Sequence, residues 1–167
     1  MIVRIGILAD SHDHVDNIRK VIARCHEEGV EAVLHAGDFV APFAIKSLSG
    51  FDCPVHAVFG NNDGERLGIV ASFGDWGKVQ PGPIELELAG RRILLMHEPY
   101  GLASHEAGGH NDLIIYGHTH ESDWRPQAGD PDKLVINPGE VCGWVTGRAT
   151  FVLFDLAAWE GELIAID

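Results

Sequence analysis

Cysteine, lysine and long apolar runs are all scarce in this chain, and each scarcity removes a class of protein. The three cysteines, Cys25, Cys53 and Cys142, are odd in number, far apart and never spaced Cys-x-x-Cys. Neither a disulfide framework nor a cysteine-built zinc site is expected. Lysine and arginine together number 12 against 25 acidic residues, a formal charge of -13. A chain this acidic repels long polyanions, so bulk nucleic acid is not an expected partner. No uninterrupted apolar stretch approaches the roughly 20 residues of a membrane span. Met1 to Leu8 runs almost directly into Asp10, without the length or cleavage site of a secretory signal. The expectation is a cytoplasmic protein with no membrane partner. Repeats, low-complexity tracts and linker-like segments are missing too, and residues 1–167 are expected to form one domain.

Apolar residues are plentiful, at 46%, which is enough for a packed core. Ile2 to Ala9 is nearly all apolar, as in a strand covered on both faces. Val15, Ile18, Val21, Ile22 and Cys25 recur at helical spacing across Val15 to Glu28, and Gly29 stops them. Strands follow at Glu31 to Ala36 and Pro54 to Phe59, with helices at Phe43 to Leu48 and Glu65 to Phe73. That alternation predicts parallel strands joined by right-handed crossovers. After Gly74 the rhythm changes. Ile84 to Leu88 alternates strictly and meets Arg92 to Met96 through an Ala89-Gly90-Arg91 turn. A helix is expected over Leu102 to Ala107, and strands at Leu113–Tyr116, Leu134–Asn137, Ala149–Asp155 and Leu163–Ile166. Two sheets packed face to face, with helices outside, accommodate both halves.

Five short apolar runs end in turns rich in donor side chains: Asp10-Ser11-His12, Gly37-Asp38, Gly60-Asn61-Asn62-Asp63, Met96-His97 and Gly117-His118-Thr119-His120. Side chains at the C-terminal ends of strands can converge on one sheet edge. Carboxylates, imidazoles and one carboxamide suit a pair of divalent cations, and hydrolysis at phosphorus follows as the expected chemistry. Taken singly, most of these turns are ordinary: an Asp after a strand usually forms a turn or caps a helix. His35 and His56 fall inside strands, and His14 and His26 lie on or beside a helix. His105 and His110 flank a loop that could border a substrate. Phe39, Tyr100, Trp124 and Trp144 could stack a nucleobase, although core or interface is the commoner use of such residues.

In this order, the blocks Asp-x-His, Gly-Asp, Gly-Asn-x-Asp, His and Gly-His-x-His resemble the calcineurin-like metallophosphoesterases over nearly the whole chain. Gly60 to Glu65 and Ile136-Asn137-Pro138-Gly139 are most similar to the small single-domain prokaryotic phosphodiesterases of the YfcE type. The resemblance implies a mixed α/β fold, a four-layer αββα sandwich of two mixed sheets flanked by helices. It also implies a two-metal site in which Asp10, His12, Asp38 and His120 hold one ion. Asp38, Asn61, His97 and His118 hold the other, with Asp38 shared. Asp38, Asn62 and Asp63 are the expected catalytic group, with Asn62 also binding substrate and Asp63 fixing its turn through backbone hydrogen bonds. Mixed oxygen and imidazole donors favour Mn2+, with Ni2+, Fe2+, Co2+ or Zn2+ also suited and Mg2+ less so. The expected reaction is in-line attack of a metal-bridging hydroxide on a small phosphodiester, without a phosphoenzyme.

One departure matters. Many relatives carry histidine immediately after the Asn ligand, where this chain has Asn62. A carboxamide donates a hydrogen bond but supplies no proton near neutral pH, so good leaving groups are expected to react best. Glu98 follows His97 where relatives often carry glycine, and its role is open. Phe39-Val40-Ala41-Pro42 after Asp38 breaks the longer block of protein phosphatases. The rival from another class is a non-catalytic scaffold on the same fold, for which lost ligands would be the sign. A homodimer or homotetramer fits the relatives.

Overall fold

In the computed structural model, which describes residues 3–167, β1 (Arg4–Leu8), β2 (Ala32–His35), β3 (Val55–Val58) and β4 (Gly77–Gln80) run parallel. The crossovers carry α1 (Val15–Glu27), α2 (Pro42–Leu48) and α3 (Arg66–Phe73). β10 (Thr150–Asp155) and β11 (Glu160–Ala165) add antiparallel to the other side of β1, giving the order β11-β10-β1-β2-β3-β4. The second sheet comprises β5 (Ile84–Leu88), β6 (Arg91–Leu95), β7 (Leu113–Ile115), β8 (Asp123–Gln127) and β9 (Asp130–Asn137). Its order is β5-β6-β7-β9-β8, with β6, β7 and β9 parallel and antiparallel strands at both edges. α4 (Leu102–Gly108) connects β6 to β7.

Side-chain alternation builds the layers. Ile5 and Ile7 of β1 and Val152 and Phe154 of β10 face Ile93, Leu95, Leu113, Ile115 and Ile136 of the other sheet. Leu8, Val33, Val55 and Phe151 turn the opposite way, beneath Ile18, Val21, Ile45 and Ile69 of the helices. On the outer face of the second sheet, Leu94, Met96, Ile114 and Val135 lie under Leu102 of α4. The order helix, sheet, sheet, helix is the expected four-layer sandwich. α1 forms because its apolar stripe is continuous. Ile18, Val21 and Cys25 are essentially fully buried, each aliphatic contributing roughly 1.5–3 kcal/mol. His14 caps its start, Nδ1 accepting from the Asn17 N–H at 3.3 Å.

The predicted strands and helices are present within one to four residues at each end, and Ile2 lies outside the described residues. β4 and β8 were not expected. Both are edge strands: β4 buries only Val79, and β8 carries Pro126 and three charged or amide side chains beside a bulge. Edges tolerate proline and charge, so no alternation marks them. Ala89 and Gly90 turn the β5–β6 hairpin with φ of 51° and 76°, the left-handed pair that matches strand twist. No helix among the described residues is long and apolar enough to cross a membrane.

Candidate metal centre

The C-terminal ends of β1, β2, β3, β6 and β7 open on one edge of the sandwich, and the five donor-rich turns meet there. His12 Nε2 lies 3.9 Å from Asp10 Oδ1 and 3.4 Å from Asp38 Oδ2. His120 Nε2 is 3.7 Å from Asp10 Oδ1, and His97 Nε2 is 3.5 Å from Asp38 Oδ2. Asn61 Oδ1 sits between His97 Nε2 at 2.9 Å and His118 Nδ1 at 2.8 Å. All seven expected ligands therefore face a common space, with Asp38 Oδ2 between the His12 side and the His97 side. Met96-His97 and Gly117-His118 are tied across the sheets: the His97 ring bonds to Ala36 O at 2.7 Å, and the Gly117 N–H donates to His97 O.

Backbone strain is concentrated here. Asp10, His12, Asp38, His118 and His120 all have positive φ, between 38° and 70°, a region uncommon for residues other than glycine. Val40 reaches 86°, which is an outlier for a β-branched residue. Asp63 holds part of this strain. It is 2% exposed, and its two oxygens accept the N–H groups of Asp38, Phe39, Val40 and Gly60 at 2.7–3.1 Å. Gly60 is glycine because a Cβ there would overlap the Asp38 carboxylate. Asp63 was expected in the catalytic group and to fix its turn through backbone hydrogen bonds; those bonds are present, and they position the backbone of Asp38. Asn62 donates its backbone N–H to Asp38 Oδ1 at 2.8 Å and its carboxamide to Asp38 Oδ2 at 2.7 Å. Its second amide N–H stays available on the exposed side.

The inward-facing atoms of this set are mainly lone pairs. A carbonyl only accepts, so His97 presents its proton on Nδ1 to Ala36 O, and burial keeps the ring neutral by lowering its pKa. Its Nε2 lone pair then points at the acceptors Asn61 Oδ1 and Asp38 Oδ2. Asp10 Oδ1 and His12 Nε2 are buried without a hydrogen-bond partner among the described residues. Burial first, and then the charges of Asp38 and Glu140, push the Asp10 carboxyl up to about 8. Such a concentration of lone pairs and negative charge fits cations, which would satisfy the orphaned atoms and relieve the repulsion.

One supporting group, Glu140, was not expected from the sequence. Glu140 is fully buried, and its Oε2 accepts the His120 Nδ1 proton at 2.7 Å. Burial pushes the Glu140 carboxyl up, but bonds from Cys142, Thr146 and His120 outweigh that and hold it at about 2. The only sequence signal was its place directly after Asn137-Pro138-Gly139, a turn that braces the His118–His120 loop through Asn137 bonds to Gly117 O and Thr119 Oγ1. His35 lies in β2 as expected and also supports the site. Buried and stacked on Phe39 at 4.0 Å, it bonds Ser11 Oγ and the Gly37 N–H, and burial lowers its pKa to about 3. Glu98 and Tyr100 line a small cleft beside His97 with Phe59 and Pro83. His105 lies within α4, and His110 lies beside Glu85 and Arg92, at the opposite end of the strands from the ligands. Of the four aromatics singled out earlier, Trp144 lies beside His12 and Tyr100 beside His97.

A family model described as the calcineurin-like phosphoesterase superfamily domain matches residues 3–158. Phosphodiesterase MJ0936 of Methanocaldococcus jannaschii is 37% identical over 169 residues, covering 99% of this chain and 100% of that protein. The structure of an archaeal phosphodiesterase superposes with a TM-score of 0.90 at 36% identity, covering 97% of this chain and 99% of the other. Yfce, a phosphoesterase from E. coli, superposes with a TM-score of 0.66 at 16% identity, over 98% and 100% of the two chains, and that likeness is one of fold.

Proposed function

The chain belongs to the calcineurin-like phosphoesterase superfamily, and we propose that it is a phosphodiesterase that works with two divalent cations. The observation that carries this is the set of buried acceptors aimed at one another, above all Asp10 Oδ1 and His12 Nε2, which have no hydrogen-bond partner among the described residues. Asp10, His12, Asp38 and His120 would hold one cation and Asp38, Asn61, His97 and His118 the other. Mn2+ is the assigned cation; Ni2+, Fe2+, Co2+ and Zn2+ share its taste for mixed donors, and Mg2+ suits them less. When bound, the ions supply an activated water for in-line attack and offset charge on the phosphoryl oxygens.

The protein contributes orientation. Ala36 O and Glu140 hold the Nδ1 protons of His97 and His120, so both Nε2 lone pairs point inward. Asp63 fixes the backbone that presents Asp38, and Asn62 offers its spare N–H to a phosphoryl oxygen. The Asn62 carboxamide cannot protonate a departing alkoxide, which favours small phosphodiesters with stable leaving groups over alkyl monoesters. A scaffold without activity would have no need for seven competent donors, and all seven are present.

The test is hydrolysis of bis(4-nitrophenyl) phosphate by protein stripped with chelator and then reloaded. Activity is expected only after Mn2+ is restored, and Asp38→Ala and His120→Ala should each remove at least about 100-fold of kcat/KM. Turnover of glucose 6-phosphate should be far slower. Undiminished activity in chelator, or in Asp38→Ala, refutes the proposal.

A further inference from the structure

Glu140 does more than orient His120. Its oxygens also accept the Val145 N–H at 3.0 and 3.2 Å, the Thr146 N–H at 2.6 Å and the Thr146 hydroxyl at 2.7 Å. One buried carboxylate therefore ties the loop over residues 142–146 to an expected ligand on the metal edge. The loop leaves two apolar side chains in water, Val145 at 70% and Trp144 at 64% exposure, and Trp144 is the one beside the expected ligands. Its ring lies 6.4 Å from the His12 ring and 5.6 Å from the His14 ring, tilted by 46° and 41°. Nothing about folding asks for a large aromatic there, since the ring leaves most of its apolar surface in water. The backbone on which it stands is held by charge-assisted bonds, so a partner stacking on it meets a platform whose position is already set.

We propose that Trp144, with His14 beside it, is an aromatic subsite for a flat ring carried by one ester arm of the substrate, an aryl group or a nucleobase. This rests on the phosphodiesterase reading: the phosphoryl group lies among Asp10, His12, Asp38 and His120, and the arm leaving past His12 reaches the indole face. Stacking explains how an acidic chain could select an aromatic phosphoester without basic residues, because the selection acts on the ring rather than the charge.

Calorimetric titration of the manganese-loaded full chain with AMP and with ribose 5-phosphate separates the base from the phosphate that both share. AMP should bind about 5- to 150-fold more tightly, the worth of one stacked base. Trp144→Ala should bring that ratio close to one, and Trp144→Phe should restore much of it. A wild-type protein that binds the two equally, or a Trp144→Ala ratio like that of the wild type, overturns the subsite while leaving the phosphodiesterase reading intact. If neither phosphate binds, the reading and the subsite fall together. A change of sedimentation coefficient in Trp144→Ala overturns the subsite as well, because it assigns the indole to contact between copies of the chain.

Discussion

Asp63→Asn is the most informative single change, because it alters one atom of a group whose bonds run to backbone. The wild-type carboxylate accepts two N–H bonds on each oxygen, from Phe39 and Val40 on Oδ1 and from Asp38 and Gly60 on Oδ2. An asparagine keeps one oxygen. Its NH2 group must then face two backbone donors, and each buried donor left unpaired costs about 1–3 kcal/mol. The expected loss is therefore about 2–6 kcal/mol, a large part of the roughly 5–15 kcal/mol that holds a typical domain. Release of these bonds also frees a backbone with Asp38 at φ 60° and Val40 at 86° to relax, which moves the Asp38 carboxylate. Urea unfolding in chelator measures the first effect without metal linkage, and Mn2+ titration of the folded variant measures the second. A loss below about 1 kcal/mol with unchanged Mn2+ affinity would refute the role given to Asp63.

Glu140→Gln should weaken Mn2+ binding about 10- to 100-fold, since a carboxamide orients the His120 proton less firmly than a buried carboxylate does; an unchanged calorimetric titration would remove Glu140 from the site. Far from the metal edge, Arg125 clamps the nearly buried Glu106 carboxylate through bonds of 2.8 and 2.9 Å, and this bond lowers the Glu106 pKa. A depressed carboxylate contributes stability above its unfolded value of 4.5, lost as pH falls through the lower native value. Glu106→Gln should cost about 2 kcal/mol at pH 7, less than a fully buried pair because Arg125 is partly exposed. The difference should shrink at pH 3, and urea midpoints equally separated at both pH values would contradict it.

Much of this architecture is legible in the residue order because two periodicities act locally. The helical repeat Val15, Ile18, Val21, Ile22, Cys25 and the alternation of Ile84 to Leu88 each bury one face whatever lies beyond. β4 and β8 are silent for the opposite reason: an edge strand has one neighbour and little to bury, so Asp123, Arg125 and Pro126 are tolerated. The donor-rich turns are legible because each carries a side chain able to bind a cation at a strand end, and seven such side chains in order are hard to assign to turn chemistry alone.

The chain on its own determined which side chains can bind a cation, the order of the strands and helices that bury a face, and the absence of an acidic proton at Asn62. Those properties belong to residue types and to neighbours a few positions apart. Tertiary structure alone decided that Asp63 serves four backbone groups, that Glu140 reaches His120 across 20 residues, and that Trp144 stands beside His12. A carboxylate carries the same formula whether it faces a metal, a peptide N–H or an imidazole. Which of these it meets is set by how two sheets pack, and packing is a property of the whole molecule.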